Sequence, residues 1–167
     1  LDRTTNGHGR VSDHDLAQLT ALDAGYRYRS HGGDHRFRHR GTRIPLLVEV
    51  LQAFSSASFN IEIKGHEPSA VGPVLQVLRG FDPTRLVVAA ANDGVMAAIE
   101  AAATPFPLGL AGHQVARLVR DVYLGRGIST RWQGRALQIP PSYRFLPLAQ
   151  QAMVNAAHQA GLEVHLW

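Results

Sequence analysis

From residue 45 onward the chain repeats one pattern: a short apolar run, a turn, then a stretch with apolar residues at helical spacing. Pro45 fits a first-turn helix position, with Leu47, Val48, Leu51 and Phe54 forming an apolar stripe behind it. Phe59–Lys64 reads as a strand, and Val71, Val74, Leu75 and Leu78 give a helical face ended by Gly80. A second strand is expected over Arg85–Ala90, then a helix capped by Asp93 and running through Ala103. A third strand, Pro107–Ala111, precedes a helix carrying Val115, Leu118, Val119 and Val122. The fourth, Ala136–Ile139, is stopped by Pro140 and Pro141. A long helix over Leu148–Ala160 ends at Gly161, and Leu162–Trp167 is the fifth strand. Regular strand-helix alternation implies parallel pairing with right-handed crossovers. Five units suit an open doubly wound sheet or part of a barrel. A complete barrel takes about 250 residues and eight strands, so 167 residues fall about three strands short.

Residues 1–44 differ in character. They are polar and glycine-bearing, with one expected helix from Asp13 to Asp23, capped by Asp13 and buried along Leu16, Leu19 and Leu22. The whole chain is expected to form one incomplete domain, a 1–44 polar segment followed by the alternating 45–167 portion. At 45% hydrophobic and 18% charged residues it can build a core. Without cysteine it has no disulfide, thiolate metal site or cysteine nucleophile. No apolar run approaches the roughly 18 residues of a spanning helix, so no stable membrane insertion is expected. The chain starts at Leu1 rather than Met and stops at Trp167 inside an expected strand, and both ends are expected to be cuts. The compartment is expected to be cytoplasmic, with the secreted and periplasmic alternatives left open, as is the oligomeric state.

The net charge of +4 comes from sixteen arginines and a single lysine, and six of the arginines lie within Arg27–Arg43 beside His31, His35 and His39. Two readings stand: a solvated loop, or a loop that faces an anion such as phosphate or an acidic lipid. Nucleic acid is not an expected partner. Only Tyr26, Tyr28 and Phe37 interleave with the arginines, and no common RNA-binding signature is present.

The most informative stretch is Asn60-Ile61-Glu62-Ile63-Lys64. Side chains alternate along a strand, so Glu62 and Lys64 share one face while the isoleucines share the other. Parallel strands in α/β proteins are normally apolar on both faces. If the isoleucines pack on helices, Glu62 and Lys64 point to the centre of the sheet, where burying each charge costs several kcal/mol unless partners offset it. The alternative is an edge strand with a solvated polar face. Lys64 is the lone lysine in an arginine-rich chain, as if a compact single-point cation were required there.

These residues carry a family resemblance. Ile44-Pro45-Leu46-Leu47, Glu49-Val50-Leu51 and Asn60-Ile61-Glu62-Ile63-Lys64 together resemble the central signature of the glycerophosphodiester phosphodiesterases. Leu1 to Gly9 resembles the loop after that family's His-Asp pair, and Leu22-Asp23-Ala24-Gly25 matches the end of the following helix. Ala156-Ala157-His158, Gly161-Leu162 and Val164-His165-Leu166-Trp167 resemble the last barrel strand. The resemblance implies a (β/α)8 TIM barrel, here with about five of its eight strands, and metal-dependent hydrolysis of small-molecule glycerophosphodiesters to glycerol 3-phosphate and an alcohol. It implies that Glu62 is one ligand of a divalent cation, Ca2+ or Mg2+. Lys64 would sit beside the phosphate, and Trp167 would form an apolar wall beside the glycerol or the leaving group.

The departures are equally specific. The family's His-Arg-Gly, Glu-x-Asp and His-Asp motifs, which supply two proton-transferring histidines and further metal carboxylates, are not in this sequence. Ala90 stands where relatives often carry serine. No catalytic residue is therefore assigned here, and the chain alone is expected to be inactive. His165 is expected to be a core histidine with a hydrogen-bond partner and Gln138 a structural amide, while His8, His14 and His158 are assigned no catalysis. The competing reading is an inactive barrel-like domain that binds anionic phosphate head groups through Arg27–Arg43.

Overall fold

The computed structural model describes residues 1–126, 128, 132 and 135–167. Backbone contacts group the chain into two compact units, Leu1–Ser55 and Ser56–Trp167.

The first unit holds two short helices, α1 (Leu16–Thr20) and α2 (Leu47–Ala53). The single helix expected over Asp13–Asp23 is instead a 3-10 turn at Val11–Asp13 followed by α1. Asp15 rather than Asp13 caps α1: its carboxylate accepts from the Gln18 amide, and the Gln18 side chain accepts from the Asp15 amide. The reciprocal pair satisfies two helix-start donors at once and fixes the boundary two residues late. α2 begins after Pro45, where the Glu49 carboxylate accepts from the Leu46 amide and both terminal nitrogens of Arg43.

The second unit is a parallel sheet crossed by helices. Its elements run β1 (Phe59–Glu62), α3 (Val71–Leu78), β2 (Leu86–Ala89), α4 (Asp93–Ala101), β3 (Leu108–Gly109), α5 (Gly112–Tyr123) and β4 (Arg135–Ile139). There follow a hairpin of β5 (Ser142–Tyr143) and β6 (Leu146–Pro147), α6 (Gln151–Gln159) and β7 (Leu162–Leu166). The five-stranded sheet is ordered β1-β2-β3-β4-β7, every pair parallel. That order follows the sequence without reversal. A doubly wound sheet reverses at a switch point, whereas strands added always on the same side make a barrel. The sheet is the half-barrel portion of an incomplete (β/α)8 barrel, the one of the two alternatives left by the alternation that the resemblance implied.

The outer face of β4 explains the packing. Leu137 and Ile139 are buried against Leu118 of α5 and Met153 and Ala157 of α6, all within 1% of full burial. Gly161, at φ 81°, ends α6 in the left-handed conformation that glycine adopts without penalty and so turns the chain into β7. At α4 the cap is Asn92, whose side chain accepts from the Val95 amide; Asp93, expected as the cap, is the first helical residue.

The hairpin was not anticipated from the sequence. Pro140 and Pro141 do end β4, but the Pro141 carbonyl then accepts from the Leu148 and Ala149 amides and closes a loop around β5 and β6. The Tyr123 hydroxyl donates to the Pro147 carbonyl at 2.6 Å, tying the hairpin to the last turn of α5. No helix among the described residues is long and apolar enough to cross a membrane.

Candidate active site

At the C-terminal ends of the strands the second unit opens into a cavity of about 980 Å³. Each strand end contributes: Glu62 closes β1, Ala89 closes β2 with Ala90 and Ala91 after it, Leu110 follows β3, Gln138 and Ile139 close β4, and Trp167 follows β7. α5 adds Val115, Val119 and Tyr123, and the hairpin adds Tyr143 and Leu146. Glu62 and Trp167, two of the three residues singled out in the sequence, thus line one cavity. Lys64 does not line it. Its ammonium lies 2.7 Å from the Glu62 carboxylate.

The burial expected for this charged pair is not what the structure has. Ile63 is buried and Ile61 half-buried, as the alternation required, but the Glu62 side chain is 37% exposed and that of Lys64 79%. β1 is also an edge of the five-stranded sheet. The polar face opens onto the cavity and solvent, so neither charge carries the large desolvation cost of a closed barrel. An ion pair this exposed contributes about 0–1 kcal/mol to stability. Its energetic case as a structural feature is small.

The centre of the inner face is tight. A Cβ added to Gly109 would lie 2.8 Å from the Ala89 Cβ and 3.1 Å from Gln138 Oε1. Glycine on β3 therefore lets the Gln138 side chain lie across the sheet. Gln138 Nε2 is buried without a hydrogen-bond partner among the described residues. An orphaned buried donor costs about 1–3 kcal/mol, so Gln138 is more than the satisfied structural amide expected from sequence. His165 also departs from expectation. Its side chain is 35% exposed, and it pairs with Glu163 on the same strand, at 3.3 Å. It is not a core histidine.

Two further pairs lie beyond the strand ends: His66 with the α4 cap Asn92 at 2.9 Å, and Asp93 at the start of α4 with His113 in the first turn of α5 at 3.2 Å. The hydrogen bond from His113 is the main reason the Asp93 carboxyl is held below its ordinary range. None of these four lines the cavity. His8 bonds Asp2, His14 bonds the Arg10 carbonyl, and His158 is an exposed residue of α6.

A divalent cation does not fit these residues alone. Ca2+ or Mg2+ takes about six or more oxygens, several from carboxylates. Glu62 is the one carboxylate lining the cavity, and no group of three or more His, Cys, Asp or Glu among the described residues could hold a metal ion.

In the first unit, the arginine cluster is partly spent on structure. Arg27 Nε donates to the Thr5 carbonyl, and Arg38 Nε donates to the Tyr26 carbonyl while its guanidinium lies 4.2 Å from the Tyr26 ring centre. Arg43 pairs with Glu49. Three of the six cluster arginines thus hold the loop together, which weakens the reading of Arg27–Arg43 as an anion-binding surface.

A sequentially ordered parallel sheet with its polar groups at the C-terminal strand ends is the architecture of a (β/α)8-barrel enzyme. Comparison with known proteins makes this specific. The model of the glycerophosphoryl diester phosphodiesterase family matches residues 1–167, and the chain belongs to that family. A glycerophosphodiester phosphodiesterase of Bacillus subtilis is 42% identical over 66 residues, a match covering 38% of this chain and 22% of that protein. The glycerophosphoryl diester phosphodiesterase domain of a Mycobacterium tuberculosis protein aligns at a TM-score of 0.79 with 19% identity, over 99% of this chain and 76% of that one. An Oleispira antarctica phosphodiesterase, solved in complex with the product sn-glycerol-3-phosphate, aligns at 0.69 with 22% identity over 100% of this chain and 63% of that one. At these identities the structural likeness speaks for the fold. The matches reach only part of the relatives' lengths.

The cavity's apolar wall escaped the sequence reading. Val115 and Val119 read only as the buried stripe of a helix, and the hairpin opposite them carries no turn glycine to announce it.

Proposed function

We propose that this chain forms part of the site of a phosphodiesterase that hydrolyses glycerophosphodiesters to glycerol 3-phosphate and an alcohol. The observation that carries the reading is that Glu62, paired with Lys64, and Trp167 both line the strand-end cavity, in a chain of this family. Lys64, exposed on its long stem, can approach a phosphate and offset charge that grows on its oxygens during displacement. Trp167, 77% exposed, offers an apolar face to a glycerol backbone. Glu62 holds the ammonium in place and would be one oxygen donor to a Ca2+ or Mg2+ ion, whose other donors are not among the described residues. A bound divalent cation would neutralise phosphate charge.

Proton transfer is the missing function. Among the described residues no histidine lines the cavity, and none is paired so as to act there as acid and base. The 167-residue chain is therefore expected not to turn over. The test is to incubate it with glycerophosphocholine and Mg2+ or Ca2+ and assay glycerol 3-phosphate, beside a Glu62→Ala control. Release no faster than the control is expected. Release clearly above it would mean that the chain carries a complete proton-transfer set.

A further inference from the structure

Two neighbouring segments border the cavity at the first two strand ends: Glu62, which closes β1, and Ala89–Ala91, at and after the end of β2. Just past Glu62 these segments are tied together twice. The Ile63 amide donates to the Ala89 carbonyl at 2.8 Å, and the Asn92 side chain meets His66 Nδ1 at 2.9 Å. Lys64 and Gly65 lie between the two ties. Gly65 has φ 104°, a conformation that residues with side chains rarely adopt. Among the described residues, nothing beyond its chain neighbours lies within 4 Å of where its Cβ would be. The turn therefore needs glycine for its backbone alone, and the second tie fixes where it ends.

The second tie runs in one direction. Asn92 Oδ1 already accepts from the Val95 amide as the cap of α4, so the group turned to His66 is Nδ2, which only donates. His66 Nδ1 must accept, which puts the ring proton on Nε2 and leaves the ring uncharged. An imidazolium carries a proton on both nitrogens and has nothing to accept with. The adjoining pair has the opposite sense, because the Asp93 carboxylate accepts from His113 whether that ring is neutral or charged. The elements that meet at His66 bring further charged and titratable groups. These are Lys64, paired with Glu62, and Glu67 on its own segment, then Asp93 at the start of α4 and His113 of α5.

We propose that His66 is a positioning residue for Lys64: held uncharged by Asn92, it fixes the turn that presents the Lys64 ammonium to the phosphate. This rests on the reading of Lys64 as the cation beside the phosphate. Acid separates the two roles such a histidine can have. A ring that touched the phosphate itself would bind it more tightly once protonated, because charge is added beside an anion. A ring that acts by accepting from Asn92 lets go once protonated, so the turn is freed and binding weakens.

The experiment is calorimetric titration of the 167-residue chain with glycerophosphocholine, whose phosphodiester keeps one negative charge throughout. It is done at about pH 7.5 and about pH 5, either side of the ordinary imidazole value near 6.5. Each variant is compared with the wild type at the same pH, so that the other histidines cancel. At the higher pH, His66→Ala should bind about two- to tenfold more weakly, the range of one hydrogen bond. His66→Asn puts an uncharged acceptor close to where Nδ1 stood. It should retain binding at the higher pH and bind more tightly than the wild type at the lower one. Nitrogen chemical shifts of the His66 ring give a reading that needs no ligand. They should place the proton on Nε2 in the wild type at the higher pH. In Asn92→Asp, which keeps an acceptor for the Val95 amide but turns the tie's donor into an acceptor, the proton should move to Nδ1. A wild-type ring protonated at Nδ1, binding unchanged by His66→Ala, or binding that tightens in acid only while His66 is present would each overturn the proposal and leave the phosphodiester site standing. No binding of glycerophosphocholine by the wild type would overturn the reading of the site, and the positioning role with it.

Discussion

The ammonium of Lys64 and the carboxylate of Glu62, the last residue of β1, are 2.7 Å apart, and both side chains are exposed while Ile63 between them is buried. A pair in this position contributes little to the fold and is available to a ligand. Replacing Lys64 by methionine should therefore change stability by less than about 1 kcal/mol, measured by denaturant unfolding. A larger loss would assign the pair a structural role.

Gly109 tests the packing beneath the site. Gly109→Ala drives a methyl group to 2.8 Å from the Ala89 Cβ on the neighbouring strand, and no side-chain rotation can relieve that contact. We expect a loss of about 1–3 kcal/mol together with displacement of the Gln138 side chain. Unfolding midpoints and the chemical shifts of the Gln138 amide protons report the two effects separately.

Acid should loosen the start of α2. The Arg43 guanidinium, and after it the Leu46 amide, hold the Glu49 carboxyl below its usual range. The folded value is lower than the unfolded one, so the stabilisation is fully present above the unfolded value, near 4.3, and is lost as pH falls through the folded value. Amide exchange in Leu47–Ala53 should quicken across that acid window. In Glu49→Gln the exchange should already be faster at neutral pH, with a flatter acid dependence. An unchanged profile in the variant would remove Glu49 from the account.

The sheet has two open edges, β1 and β7. Unpaired parallel edges template association, and Leu166 beside the second is 53% exposed. Light scattering on a sizing column should show the chain associating as concentration rises. Leu166→Lys should reduce association while costing no more than about 0.5 kcal/mol. A wild-type chain that stays monomeric and melts cooperatively would contradict this.

The elements legible in the sequence were those whose signal is local and periodic. β1, β2, β4 and β7 fall within about two residues of their expected limits because apolar runs bounded by glycine or proline leave few alternatives. The helix starts were displaced by competition among neighbouring caps: Asp15 won over Asp13, and Asn92 over Asp93, each by the hydrogen bond its side chain reaches. The hairpin was illegible because Arg144, not glycine or asparagine, takes the left-handed conformation at φ 53°. Alternation correctly put Glu62 and Lys64 on one face but could not tell a closed barrel interior from an open cavity, so their burial was overestimated. The orphaned amide of Gln138 depends on Gly109 one strand away, which no local pattern encodes.

The most direct test of the central claim is titration of the 167-residue chain with sn-glycerol 3-phosphate, with Lys64→Met in parallel. The account predicts saturable binding that weakens about tenfold or more in the variant, as expected when a charge-assisted hydrogen bond worth about 1.5–3 kcal/mol is lost. Absence of binding, or binding unchanged by Lys64→Met, would contradict it.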